Sequence, residues 1–234
     1  MVGVITLDAG DTAGLFTGPR VADILYELSG IPDSDESKRD IVGEAERTFL
    51  HVHSELTSEL LQGLCGALII DQDKVPDPWP GGGFEPYDYT NSVLADLRSI
   101  APVVVLTNIS MVSASCIREL AQKCGDFIDE IITSYDAGVR KPNPRLWTDI
   151  ARVYNVPASK IVHIGDRWNN DVLGAASAGA RAIHVCGTRH HQRPAPMQDE
   201  WPVGLDRISV VPTLEQVPAV IRQWIDDDLP RMAG

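Results

Sequence analysis

Val2-Gly-Val-Ile-Thr-Leu7, followed at once by Asp8-Ala-Gly-Asp-Thr12, is a short apolar, β-branched run that stops at a polar, glycine-containing turn. The run reads as a buried strand and the turn as a tight loop at its carboxyl end. A second run of the same kind, Val103-Val-Val-Leu106, ends in Thr107-Asn108. From there the pattern alternates. Residues 91–99, 112–124, 145–154 and 171–178 carry helical spacing, and residues 130–133, 161–164 and 181–185 read as strands. Residues 208–211 and 214–225 add a last strand and a closing helix. Short apolar strands alternating with amphipathic helices predict an α/β fold, a parallel sheet covered by helices on both faces.

Between the first two strands the pattern is helical throughout. Val21, Ile24, Leu25 and Leu28 fall on one stripe, and Leu56, Leu60, Leu61 and Leu64 on another. This block closes at Val75-Pro-Asp-Pro-Trp-Pro-Gly-Gly-Gly83, which is too rich in proline and glycine for regular structure and is read as a linker and hinge. A chain of 234 residues therefore divides into an α/β core of residues 1–14 and 81–234 and an all-helical insertion of residues 15–80. None of its apolar runs is long enough to span a bilayer. The first residues lack a basic segment and a cleavage site, so a cytoplasmic location is expected. Cys65, Cys116, Cys124 and Cys186 lack zinc-site spacing and are expected as reduced, mostly buried thiols. A formal net charge of −13 disfavours nucleic acid as a partner, although one local cation or a metal can still admit a small anion.

In an open α/β sheet a ligand sits outside the carboxyl ends of the strands, so polar residues there have priority as site candidates. Asp8 follows the first strand, Thr107 and Asn108 the second, and Gly165-Asp166 the strand at 161–164, with Asp171 one helical turn on. Lys141 lies in the loop Gly138-Val-Arg-Lys-Pro-Asn-Pro144. Converging carboxylates repel, so three of them make sense around a hard divalent cation such as Mg²⁺. A lysine and a hydroxyl opposite such a cation suit a phosphoryl group. A carboxylate at that place can also attack as a covalent nucleophile.

These residues resemble the four motifs of the haloacid dehalogenase superfamily of hydrolases. The matches are Asp8-Ala-Gly-Asp-Thr12, then Leu106-Thr107-Asn108, then Gly138-x-x-Lys141-Pro-Asn-Pro, and last Gly165-Asp166-Arg-Trp-Asn-Asn-Asp171 with Gly174-Ala-Ala. The resemblance implies a Rossmann-like core with a small α-helical cap inserted after the first motif, where the helical block sits. It makes Asp8 a nucleophile that forms an aspartyl-phosphate, and Thr107 and Lys141 ligands of the phosphoryl oxygens, with Asn108 on the substrate beside them. It implies Mg²⁺ held by Asp8, the main-chain carbonyl of Gly10 and Asp166, with Asp171 acting through water or orienting Lys141. The implied substrate is a small phosphorylated metabolite.

One departure limits that reading. Phosphatases of this family carry an acidic residue two positions after the nucleophile, and here that residue is Gly10. General acid–base help is worth about 10²–10⁴-fold, or roughly 3–5 kcal/mol of barrier. Slow turnover of alkyl phosphates is therefore expected unless Asp11 turns its side chain inward. Dehalogenating relatives also lack that acid, which keeps hydrolytic dehalogenation as an alternative, although the intact Asp166 weighs against it. A weakened member that only binds a phosphometabolite or a protein is a further alternative. Phosphonate cleavage by a lysine of the cap has only Lys38 and Lys74 to draw on. His51 and His53 are expected as surface or packing residues of a cap helix. Trp168 is expected to pack, with walling the site or meeting the cap as its alternative, and His190-His191 is a candidate pocket lining.

Overall fold

The computed structural model describes residues 1–187 and 207–228; the pair His190-His191 lies outside the described residues. The chain begins with β1 (Val4–Leu7) and β2 (Gly14–Thr17), then α1 (Val21–Leu28), α2 (Lys38–Leu50) and α3 (Ser58–Leu68), and returns through β3 (Gly83–Pro86). Helices and strands then alternate: α4 (Thr90–Arg98), β4 (Val103–Thr107), α5 (Ala114–Cys124), β5 (Glu130–Thr133), the short α6 (Ser134–Ala137), α7 (Arg145–Val153) and β6 (Ile161–Gly165). A π-helical turn (Trp168–Leu173) leads into α8 (Gly174–Ser177), followed by β7 (Arg181–Val185), β8 (Ile208–Val211) and α9 (Val217–Asp227).

Six of these strands form one parallel sheet in the order β5-β4-β1-β6-β7-β8. Alternation along the strands sends Ile5, Leu7, Val103, Val105, Val162 and Ile164 to one face, where Leu94 and Leu97 of α4, Leu120 of α5 and Ile221 of α9 cover them. Val4, Val104, Leu106, Ile161 and Ala182 point to the other face and meet Leu146, Trp147 and Ile150 of α7 and Ala175 of α8. Burial on both sides explains why these strands are apolar runs rather than alternating ones. Each fully buried aliphatic side chain contributes roughly 1.5–3 kcal/mol.

From β1 the chain adds β4 and β5 on one side and β6, β7 and β8 on the other. The order of strands reverses at β1, so the loops after β1, β4 and β6 part there and leave a crevice.

The helical block has an apolar cluster of its own, built from Val21, Leu25, Val42, Leu50, Leu64, Leu68 and Ile70, with Met111 reaching it from the sheet side. The linker is irregular over residues 75–82, as expected, but a short strand stands on each side of the block. Residues 14–17 and 83–86, read as loop, block edge and hinge from the sequence, pair as an antiparallel ribbon with Phe16 opposite Phe84, their rings 5.5 Å apart. Four-residue strands carry too little periodicity to read alone, and each acquires its partner only when the block folds back. Glu119 and Lys123 of α5 fasten the ribbon: the Glu119 carboxylate accepts from the Phe84 N–H at 3.2 Å, and Lys123 donates to the Phe84 carbonyl at 2.7 Å. Cys65, Cys116 and Cys124 are buried free thiols, as expected. No helix among the described residues is long and apolar enough to cross a membrane.

Candidate active site

A cavity of about 490 Å³ opens between the carboxyl ends of the central strands and the helical block, with Asp8, Thr107, Asn108, Lys141 and Asp171 in its lining. Asp8 prolongs β1, and its N–H donates to the Ile164 carbonyl at 2.8 Å. The chain then closes a tight loop through bonds from the Ala13 and Gly14 N–H groups to the Ala9 carbonyl, at 2.9 and 3.2 Å. Asp11 sits in this loop in left-handed conformation, with φ of 62°, a geometry aspartate tolerates better than most residues.

Lys141 is the hub. Its Nζ lies 2.6 Å from Asp8 Oδ1 and 2.7 Å from Asp171 Oδ1, with all three side chains almost wholly buried. Asn108 locks the lysine's loop onto the end of β4: its amide donates to the Lys141 carbonyl at 3.0 Å and accepts from the Lys141 N–H at 2.8 Å. Both ends of the Asn108 side chain are thus spent on the backbone of Lys141.

Asp171 is held from three directions. Besides Lys141, it accepts from His163 Nε2 at 3.2 Å and from the Arg167 N–H at 2.9 Å. His163 in turn has Nδ1 2.8 Å from the Thr6 hydroxyl and its ring edge against Trp147. A carboxylate only accepts, so the imidazole carries its proton on Nε2 and takes the Thr6 hydroxyl bond at Nδ1. The π-helical turn brings Asp171 back toward the end of β6. Gly165 is required there, because a Cβ at that position would collide with the Asp171 carboxylate.

Asp8, Asp166 and Asp171 each offer a carboxylate oxygen within 4.8 Å of the others, and all three residues are buried. The Thr12 hydroxyl donates to Asp166 at 3.5 Å. Burial, aided by the nearby Asp171, pushes Asp8 up to about 6 against the pull of Lys141. Burial would also raise Asp171, but Lys141 and His163 outweigh it and hold that carboxyl below the ordinary carboxylate range. Lys141, which burial alone would lower, is raised by Asp171 and Asp8 and stays an ammonium. Asp8 and Asp171 share one ammonium in a desolvated place, and a third buried carboxylate, Asp166, stands within 4.8 Å of both. This oxygen-only donor set fits a hard divalent cation such as Mg²⁺.

Gly10 and Asp11 line the same cavity. The room a side chain would need at position 10 is partly taken by Phe16, since a Cβ there would meet Phe16 Cδ2 at 3.0 Å. Trp168 does not line the cavity; its ring edge packs on His184 among the apolar residues beneath the sheet. His51, expected as a helical surface or packing residue, lies just past the end of α2 and lines the cavity, with Nε2 3.5 Å from Glu46. His53, Lys38 and Lys74 stand outside the lining. The Lys38 ammonium is instead 2.8 Å from Asp33 and stacks over Tyr26. Sequence reasoning passed over the arginines of the lining, Arg20, Arg39, Arg47, Arg140 and Arg167. Two of them had a signal in their position, since Arg140 precedes Lys141 and Arg167 follows Asp166.

A sequence model of the haloacid dehalogenase-like hydrolases matches residues 4–179. A glyceraldehyde 3-phosphate phosphatase of Methanothermobacter thermautotrophicus is 30% identical over 100 residues, 43% of this chain and 44% of that protein. A phosphoglycolate phosphatase of Neisseria gonorrhoeae is 30% identical over 103 residues, 43% of this chain and 42% of that one. The matched stretches thus span less than half the length of these relatives. Among solved structures, a 2-haloacid dehalogenase from Pseudomonas syringae pv. Tomato superposes with a TM-score of 0.59 at 21% identity, over 96% of this chain and 100% of the other. A phosphatase of the same class from Thermococcus onnurineus gives 0.54 at 18% identity, over 94% and 97%. These structural likenesses speak to the fold. The family match spans three quarters of the chain, from β1 through the turn after α8, and takes in every strand end that lines the cavity: this chain belongs to the haloacid dehalogenase-like hydrolases.

Proposed function

We propose that this chain is a Mg²⁺-dependent phosphatase acting on a small phosphomonoester through an aspartyl-phosphate at Asp8. The observation that carries the reading is a buried set in which Lys141 joins Asp8 to Asp171 in the cavity lining, while Asp166, outside the lining, offers a carboxylate oxygen within 4.8 Å of both. The Asp8 carboxylate attacks phosphorus, the bond from phosphorus to the ester oxygen breaks, and that oxygen leaves with the bonding pair and takes its proton from solvent, since Gly10 offers none. Thr107 and Lys141 hold the phosphoryl oxygens during this transfer. Water then hydrolyses the acyl phosphate, which frees Asp8 and inorganic phosphate. Asp8, Asp166 and the Gly10 carbonyl would hold Mg²⁺, which would supply positive charge to offset the carboxylates and the phosphoryl oxygens. Asp171 keeps Lys141 aimed at Asp8, and Asn108 fixes the lysine's loop. We read residues 15–80 as a cap over a core of residues 1–14 and 81–234, with the β2–β3 ribbon as its stem; closing it would exclude water from the cavity.

Names borne by relatives support a phosphorylated substrate, since both curated relatives described above are phosphatases. An aryl phosphate, whose leaving group needs little acid help, tests the reading. Turnover should depend on added Mg²⁺ and vanish with a chelator; turnover that ignores both would overturn it.

Gly10 and the Phe16 ring beside it favour a second reading, displacement of halide from carbon by Asp8, because a halide leaves without a proton. The clustering of Asp166 with Asp8 weighs against it, since that reaction needs no cation. Release of halide from small 2-halo acids is its direct measurement. Under the phosphatase reading, Gly10→Asp combined with Phe16→Leu should raise turnover of an alkyl phosphate by about 10²-fold or more. Gly10→Asp alone should gain less, because Phe16 must shift before the new carboxyl can enter.

A further inference from the structure

Five arginines stand in the wall of the cavity, interspersed with Asp11, Asp23 and Glu46. Of the 20 basic residues in a chain of net charge −13, six line this one cavity: Arg20, Arg39, Arg47, Arg140, Lys141 and Arg167. Lys141 is spent on Asp8 and Asp171, and Arg20 lies 3.8 Å from Asp23 at the open rim.

Arg140 is different. It is half-buried, and its Nε is shielded from solvent without a hydrogen-bond partner among the described residues. Two of the charges that act on it are guanidinium groups, those of Arg47 and Arg167. Glu44 and Glu46 act on it as well, but each has a nearer partner. Glu44 accepts from Arg47 Nε at 3.1 Å and Nη2 at 2.8 Å, which leaves Arg47 Nη1 to face a ligand, and Glu46 lies 3.5 Å from His51. Burial and Arg47 accordingly hold Arg140 below its ordinary value.

A partly desolvated guanidinium that shares a cavity wall with those of Arg47 and Arg167 is costly to keep unless an anion joins them. The planar fork of arginine suits a carboxylate or phosphate gripped through two parallel bonds. The chain also places Arg140 next to Lys141, so such a grip lies one residue from the group that would hold the phosphoryl oxygens. Arg47 comes from α2 of the helical block and Arg140 from the core, so one anion between them would link the two parts.

We propose that the cavity has a second anion subsite, formed by Arg140 with Arg47, and that the substrate is a small phosphomonoester bearing another anionic group, a carboxylate or a second phosphate. This rests on the phosphatase reading of the floor. It goes further by naming the feature that distinguishes substrate from simple esters.

The test compares phosphoglycolate, a short bisphosphate diester-free analogue (propane-1,3-diol bisphosphate) and ethyl phosphate on the Mg²⁺-loaded protein. Wild type should favour at least one of the two doubly anionic esters over ethyl phosphate by tenfold or more in kcat/KM, and which one identifies the second group. Arg140→Gln and, separately, Arg47→Gln should each cut that preference at least tenfold, chiefly through KM. Arg47 lies on a helix surface, so its variant guards against a folding defect at Arg140. Equal use of all three esters by wild type, or a preference that both variants retain, would overturn the subsite.

Failure of the underlying reading looks different, because no phosphate ester, the aryl one included, would then be turned over. Calorimetric binding of phosphoglycolate to Asp8→Asn protein decides the subsite in that case. Binding at least tenfold weaker in Asp8→Asn/Arg140→Gln would uphold it, and equal or absent binding would overturn it.

Discussion

Asp8→Asn is expected to lower Mg²⁺-dependent turnover of an aryl phosphate by about 10⁴-fold or more, the scale on which loss of a nucleophile acts, while the protein stays folded. The amide has the shape of the carboxylate but cannot form an acyl phosphate. The structure says why stability should hold. Burial already pushes the Asp8 carboxyl up to about 6, so removing its charge relieves a desolvated site. Lys141 keeps its 2.7 Å ion pair with Asp171. Rapid quenching followed by peptide mass analysis should find phosphate on the Asp8 peptide of wild type and none on the variant. A variant within about tenfold of wild type would remove Asp8 from the mechanism.

Lys141→Met should have the opposite profile, with large losses of both activity and stability. It strands Asp8 and Asp171, two buried carboxylates that share this one ammonium. Breaking a buried pair by removing one partner costs about 3–5 kcal/mol. For a chain of this size, 1 kcal/mol corresponds to roughly 2–4 °C, so the thermal midpoint should fall by about 6–20 °C. Added Mg²⁺ should raise the variant's midpoint more than that of wild type, because a cation bound to the folded site then relieves a greater repulsion. A midpoint unchanged from wild type would mean that the carboxylates are not coupled through Lys141. Comparing the two variants should separate the proposed roles, chemistry at little structural cost for Asp8 and charge neutralisation besides for Lys141.

The α/β core is legible in the sequence because strands buried on both faces must be continuous apolar runs, and Val4–Leu7, Val103–Thr107 and Ile161–Gly165 are such runs. The candidate site is legible for a related reason. Asp8, Thr107 and Asp166 each stand where an apolar run ends, and the topology of parallel strands sends such ends to one edge. The Lys141 loop was found by its resemblance to a motif, since nothing in its local pattern announces that its ammonium reaches Asp8.

Other features depend on contacts that no local pattern encodes. The ribbon of residues 14–17 and 83–86 exists only because two short segments meet across the helical block. His163 reads as one more residue of a buried strand, yet it braces Asp171. Trp168 sits in a motif loop but turns into the core, because the π-helical turn directs its ring to His184. Phe16 occupies the space beside Gly10 through its place on the ribbon.

Periodicity and the abrupt end of an apolar run are properties of neighbours in the chain, so the sheet, its two covered faces and the carboxylates at its edge can be read without the fold. The tertiary structure alone decided the cavity wall, whose arginines come from α2, from the segment before α1 and from two separate core loops. Charge acts through space rather than along the chain, so a net value of −13 conceals a cavity wall to which five arginines are brought from distant parts of the chain.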